Sequence, residues 1–263
     1  MKKWIVLVLL TLSFNVISEV HTPHCLAACP EAQSNNATND LIVRDIYTLS
    51  SNDSTKFTDW AAYKITKETI GSGCNRRWKK DPKLTKSETL EPKDYKGAHD
   101  KLGIDRGHQV PLASVCSSPN YQQANYLSNI TPQKSELNQG PWKHLEEKSR
   151  NIVKDENIQL YVITGPLYER GMPQLPNATK EHKIPSGYWK VVSTLDFDTE
   201  TIQVASFIMD QESKRKDHYC DKAVSLSEVE TRSKFDLFPS LDNMYKVNEE
   251  LQNRFCPKAS QAQ

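Results

Sequence analysis

Between Gly103 and Glu146 the chain gathers residue types that packing alone does not require. Gly-Ile-Asp-Arg-Gly-His at 103–108 is followed by Asn-Ile-Thr-Pro-Gln at 129–133, Asn-Gln-Gly-Pro-Trp at 138–142, and then Leu145 and Glu146. An imidazole, a guanidinium, two amides and a carboxylate therefore lie close together in sequence, with turn-forming Gly and Pro between them. That set suits hydrolysis of a phosphodiester with the help of one hard metal ion.

Each residue has a chemical reading and a plainer one. With an ordinary pKa near ~6.5, His108 is the natural group to take a proton from water at neutral pH. A nearby cation and Arg106 would hold it neutral, as a general base requires; the plainer role is packing. Asn138 is the candidate metal ligand, because a neutral amide oxygen leaves Mg²⁺, or Mn²⁺ in its place, its charge and most of its waters. Its plainer role is a helix cap ahead of Pro141. Were the segment from Asn138 to Glu146 helical, the two side chains would lie ~80° apart around the axis, both able to address one hydrated ion. Glu146 would then hold water around the ion. Arg76 and Arg106 are candidate phosphate clamps, since guanidinium forks match phosphoryl oxygens. Arg150 either orients Glu146, reaches a phosphate or forms a surface ion pair, and Asn129 fixes the site's loop or the imidazole.

One base histidine with a metal amide implies attack by water. A ribose 2′-hydroxyl nucleophile would restrict the enzyme to RNA, whereas water is indifferent to the sugar. DNA and RNA should both be substrates, leaving a 5′-phosphate and a 3′-hydroxyl.

The elements that must position these groups follow from the rest of the chain. Residues 1–18 open with Lys2 and Lys3, continue as an apolar run too short to span a bilayer, and read as a secretory signal peptide cut before Glu19. The mature protein, residues 19–263, is then exported to the medium or a periplasm, with no membrane association. Its length fits one domain, and no linker divides it. The formal net charge of +1 falls to about −1 without the leader. That balance does not suit a protein that stays bound to nucleic acid. Ten Lys or Arg against six Asp or Glu between Arg76 and Arg106 form a local cationic lane, suited to a brief grip on phosphates. A solvated lysine-rich loop is the plainer reading.

Six cysteines behind an export signal point to disulfides. Cys25 and Cys29 could close a small loop and Cys220 and Cys256 tie down the C-terminal tail. Cys74 and Cys116 remain as a third pair flanking the candidate site. A metal site from His21, His24, Cys25 and Cys29 is the competing reading at the N-terminus.

Residues 41–49, 60–66, 158–164, 188–195 and 202–209 are strand-like. The stretch 71–100 is a long surface loop and 119–126 a short helix. After Pro141 the apolar positions Trp142, Leu145, Ile152 and Val153 share one helical face, while Glu146 and Arg150 share another. Ser225 and Glu228 form a capping box for a helix through Ser233. This irregular order of strands and helices indicates an α+β fold with a largely antiparallel sheet.

Asp-Arg-Gly-His at 105–108, Asn-Tyr-Leu-Ser-Asn-Ile-Thr-Pro-Gln at 125–133 and Leu-Asn-Gln-Gly at 137–140 with Trp142, Leu145 and Glu146 resemble the DNA/RNA non-specific endonuclease family. So do Thr-Gly-Pro-Leu-Tyr-Glu-Arg at 164–170 and Ile-Pro-Ser with Tyr-Trp-Lys at 184–190, so the likeness covers nearly all of the mature chain. The resemblance implies a ββα-metal core in which a hairpin presents His108 and a helix presents Asn138, set in a larger antiparallel sheet flanked by helices. It implies His108 as general base, Asn138 as magnesium ligand, Arg76 and Arg106 on phosphate, and Asn129, Glu146 and Arg150 in support. The N-terminal and C-terminal cysteine pairs fit the family's pattern; Cys74 with Cys116 departs from it. Some members are homodimers, a state this sequence neither supports nor excludes.

Overall fold

The computed structural model describes residues 19–33, 39–239 and 245–257, so the expected leader lies outside the described residues. A two-residue strand, β1 (Glu31–Ala32), precedes a hairpin of β2 (Asn39–Val43) and β3 (Thr48–Asn52). The apolar run 41–49 is therefore two strands instead of one: the chain reverses between them, with Arg44 N–H donating to the Tyr47 carbonyl at 2.9 Å. β4 (Thr58–Ile65) pairs antiparallel with β3.

The long loop that follows contains one 3₁₀ turn (Pro92–Tyr95) and a short helix, α1 (Ala98–Leu102), before β5 (Ile104–His108) and α2 (Leu112–Val115). The helix expected over 119–126 is a 3₁₀ turn, Tyr121–Asn125. β6 (Ile130–Lys134) pairs antiparallel with β5 as a separate two-stranded ribbon, placing His108 opposite Ile130 and Asp105 opposite Gln133. The ribbon leads directly into α3 (Ser135–Gln139) and α4 (Pro141–Glu156).

Pro141 occupies the first turn of α4, where no intrahelical N–H is needed. The helix stops at Asn157, which adopts a left-handed conformation, φ 56° and ψ 36°, that Asn tolerates. Trp142, Leu145, Ile152 and Val153 are all buried, as their spacing required. Each such side chain contributes roughly 1.5–3 kcal/mol by leaving water.

The sheet beneath α4 is completed by β7 (Leu160–Leu167), β8 (Gly187–Asp196) and β9 (Thr201–Asp210). β10 (Ala223–Val224) closes one edge; the helix α5 (Leu226–Ser233) and strand β11 (Phe235–Asp236) follow. β11 pairs with β1, and β12 (Lys246–Asn248) lies parallel to β9 before the last helix, α6 (Leu251–Phe255). Strand order is β10-β9-β8-β7-β4-β3-β2, antiparallel throughout apart from β12. The fold is α+β, with a largely antiparallel central sheet flanked by helices.

Both faces of that sheet are covered, which is why β8 and β9 read as nearly continuous apolar runs. Tyr188, Val192, Phe207 and Met209 face α4 and the site, while Trp189, Val191, Val204 and Ile208 face α5 and the N-terminal segment. A third cluster, including Tyr95, Ile104, Leu127 and Ile130, supports the β5–β6 ribbon. At α5 the Ser225 hydroxyl accepts from the Glu228 N–H at 3.2 Å, but the Glu228 carboxylate turns to Arg232 at 3.1 Å, so only half of the expected capping box forms.

The cysteines pair as Cys25–Cys29, Cys74–Cys116 and Cys220–Cys256. At the N-terminus the disulfide replaces the competing metal site. His24 is buried, with its ring nitrogens 3.0 Å from the Thr48 hydroxyl and 3.2 Å from the Asp45 carbonyl. Among the described residues no helix is long and apolar enough to cross a membrane.

Candidate active site

The ribbon, α2 and the two helices after the ribbon enclose a cavity of about 600 Å³. His108, Arg106, Arg76, Asn138, Glu146 and Arg150 all line it. Arg76 and Arg150, 74 positions apart in sequence, thus share one cavity because the loop bearing Arg76, the β5–β6 ribbon and α4 pack around it. Asn129 does not reach the cavity; it lies fully buried behind it.

His108 ends β5, where Gly107 has no room for a side chain: a Cβ there would lie 2.0 Å from Gln133 Oε1. Asn125 Nδ2 donates to the Asn75 carbonyl at 3.2 Å, which turns Asn125 Oδ1 toward His108 Nε2 at 3.3 Å. The acceptor at that nitrogen fixes the tautomer: Nε2 carries the proton and Nδ1 keeps its lone pair. The Trp78 ring covers the imidazole, with centroids 5.1 Å apart. Burial, opposed by the Asn125 hydrogen bond and assisted by the charge of Arg76, pushes the His108 pKa down to about 4. The lowering charge is thus Arg76, where Arg106 was expected. At neutral pH the group is an unprotonated base.

Asn129 sets the strand exit behind His108. Its Oδ1 accepts from the Val110 N–H at 2.9 Å, and its Nδ2 donates to the Val110 and Ala124 carbonyls at 3.1 and 2.9 Å. Of its two expected roles, these bonds have it fixing the loop, and its side chain makes no hydrogen bond to the imidazole.

Asn138 sits near the end of α3. The helix breaks at Gly140, whose φ of −106° and ψ of −120° are not helical, so Asn138 and Glu146 do not share one continuous helix. They converge on the cavity because α4 packs against α3. Gly140 is needed there, as a Cβ would lie 2.4 Å from the Glu136 carbonyl oxygen. Asp105 accepts from Asn138 Nδ2 at 3.0 Å, Gln139 Nε2 at 2.7 Å, Ser135 Oγ at 2.8 Å and His99 Nδ1 at 2.9 Å. These bonds outweigh its partial burial and hold the Asp105 carboxyl below its ordinary range. With Nδ2 committed to Asp105, Asn138 Oδ1 makes no hydrogen bond among the described residues and is the amide atom free for a ligand.

Arg106 rests against Tyr95 and Trp78, its guanidinium carbon 5.2 and 5.8 Å from their ring centroids, and its NH2 donates to the Pro92 carbonyl at 3.0 Å. Arg76 is exposed on the loop opposite and makes no bond among the described residues. Arg150 NH1 lies 3.5 Å from Ser114 Oγ on α2. Glu146 Oε1 lies 3.5 Å from Lys190 Nζ. Burial raises the Glu146 pKa, with the Lys190 and Arg150 charges acting against it, and burial lowers that of Lys190.

The donor chemistry fits a hard divalent cation: one neutral amide oxygen and one carboxylate, both oxygen, on neighbouring walls of a polar cavity. Sequence reasoning assigned no role to Asp105, Asn125, Trp78 or Lys190. Only Lys190 left a usable signal, a lone charge inside an apolar strand.

The hairpin carrying His108 and the helix that follows it carrying Asn138 form a ββα unit. The sequence profile of the DNA/RNA non-specific endonuclease family matches residues 29–244, and the chain belongs to that family. It is 46% identical over 211 residues to the nuclease of Serratia marcescens, covering 80% of this chain and 78% of that one. Nuclease C1 of Cunninghamella echinulata is 27% identical over 223 residues, covering 77% and 84% of the two chains. The solved EndoG/EndoGI complex superposes with a TM-score of 0.68 at 19% identity, over 82% of this chain and 92% of that chain. The protein is accordingly a DNA/RNA endonuclease.

Proposed function

We propose that the protein is an exported, Mg²⁺-dependent endonuclease that hydrolyses DNA and RNA alike, with water as nucleophile and 5′-phosphate ends as product. In this proposal residues 1–18 are removed on export, and residues 19–263 act as one nuclease domain in the medium or a periplasm. The observation that carries it is the pairing of two uncommitted atoms, His108 Nδ1 and Asn138 Oδ1, on residues lining the same cavity.

His108 Nδ1 takes a proton from the attacking water while Nε2 stays bonded to Asn125, so the ring keeps its orientation as charge develops. Arg76 and Arg106 hold the phosphate, the first as a free exposed guanidinium and the second already oriented by two aromatic rings. Asn138 Oδ1 would hold Mg²⁺, with Glu146 supporting its hydration shell. When bound, the ion supplies positive charge for the leaving 3′-oxygen. None of these groups contacts a sugar 2′-position in the reaction scheme, which supports action on both polymers.

The test is cleavage of plasmid and of RNA, with and without Mg²⁺, followed by end-group analysis. Both substrates should be cut only with the ion and carry 5′-phosphates. Cutting in EDTA, 3′-phosphate ends or activity on RNA alone would overturn the proposal.

A further inference from the structure

Lys190 is a buried cation for which the chemistry above has no use. It sits in the middle of β8 on the face shared by Tyr188 and Val192, directly under α4. Its side chain is 1% exposed. Nζ lies 4.4 Å from the Trp142 ring centroid and 3.5 Å from Glu146 Oε1, and it makes no hydrogen bond. A methionine would fill the same space without desolvating a charge, so packing does not account for a lysine here.

Trp142 and Glu146 are one helical turn apart on α4, and Nζ reaches the helix between them. The Trp142 ring and the Glu146 carboxylate both attract the ammonium. Glu146 lines the cavity, and its second oxygen, Oε2, makes no hydrogen bond among the described residues. Residues that orient a metal site's inner groups commonly change cation affinity without touching the cation.

We propose that Lys190 is a positioning residue: by engaging Oε1 of Glu146 from beneath the site, it turns Oε2 toward the cation's hydration shell. This rests on the reading of Asn138 and Glu146 as the pair that holds the cation. The same contact explains why the lysine tolerates a dry site without hydrogen bonds.

The test compares the full chain with Lys190→Met, Lys190→Gln, Glu146→Gln, the Lys190→Met/Glu146→Gln double variant and Asn138→Ala. Mn²⁺ binding is measured by titration calorimetry without nucleic acid, alongside kcat and KM on plasmid and thermal melting. Both Lys190 variants should weaken Mn²⁺ binding about tenfold and lower kcat, with KM and the melting temperature nearly unchanged. In the Glu146→Gln background, Lys190→Met should add less than about twofold. Native Mn²⁺ affinity in both Lys190 variants, or an undiminished loss in the Glu146→Gln background, would overturn the proposal. Native affinity in Asn138→Ala would instead sink the underlying cation assignment. Should Lys190→Met fail to fold, the polar Gln variant carries the comparison.

Discussion

The acidity of His108 is the quantity most open to measurement. With a pKa of about 4, its imidazole is ~97% neutral at pH 5.5; at the ordinary ~6.5 it would be only ~9% neutral. Between pH 7.5 and 5.5 the specificity constant kcat/KM, which reports the free enzyme, should therefore hardly change, whereas an unperturbed histidine would lose about tenfold. The structure attributes the lowering first to burial, and the Trp78 ring is one of the groups that cover the imidazole. Trp78→Ala should admit water and move the midpoint up toward ~6.5, so that the variant loses activity several-fold at pH 5.5 relative to its own value at 7.5. NMR titration of the His108 ring protons in the substrate-free protein gives the same midpoint without kinetics. A native midpoint near 6.5, or one unmoved by Trp78→Ala, would refute the reasoning. Linkage gives a second readout. In the window between the two pKa values the unfolded chain binds the extra proton, so the fold loses up to about 3 kcal/mol as pH falls from roughly 6.5 to 4.

Three further outcomes are expected. Asn138→Ala should abolish Mn²⁺ binding by calorimetry and lower kcat by at least about a hundredfold, while DNA retention on a gel persists; unaltered turnover would count against the amide as ligand. Asn129→Ala strands the Val110 N–H and two carbonyls in a dry interior, which should destabilise by about 2–4 kcal/mol in urea denaturation, and no loss would mean that water replaces the amide. Cys74→Ser/Cys116→Ser opens a bridge across a separation of 42 residues, worth about 4 kcal/mol on loop entropy, and should raise KM more than it lowers kcat; equal falls in kcat and kcat/KM would remove the bridge from substrate binding.

The legible parts of the sequence are those with a period or a fixed chemistry. The apolar face of α4 and the strands β4, β7, β8 and β9 were visible because burial imposes a pattern on them. The β5–β6 ribbon was not: Ile-Asp-Arg-Gly-His and Ile-Thr-Pro-Gln-Lys spend their positions on site groups, leaving no alternation to detect. Only the likeness of its motifs to a family gave it away. The break at Gly140 is not legible in the sequence because α3 and α4 are each helical and only backbone crowding separates them. Asn125 and Trp78 bear on His108 through folded proximity alone, with no spacing rule to reveal them.

The bridge between Cys74 and Cys116 joins the loop bearing Arg76 and Trp78 to the end of α2, beside the cavity that those two residues line. Thiols in a reducing cytoplasm stay apart. Under the proposed export, a newly made copy still inside such a cell would have its sheet and its imidazole but no clasp holding the Arg76 loop to the end of α2. Oxidation on departure would then complete the cutting edge, and the genome and messengers of the producing cell would meet only a blunt precursor.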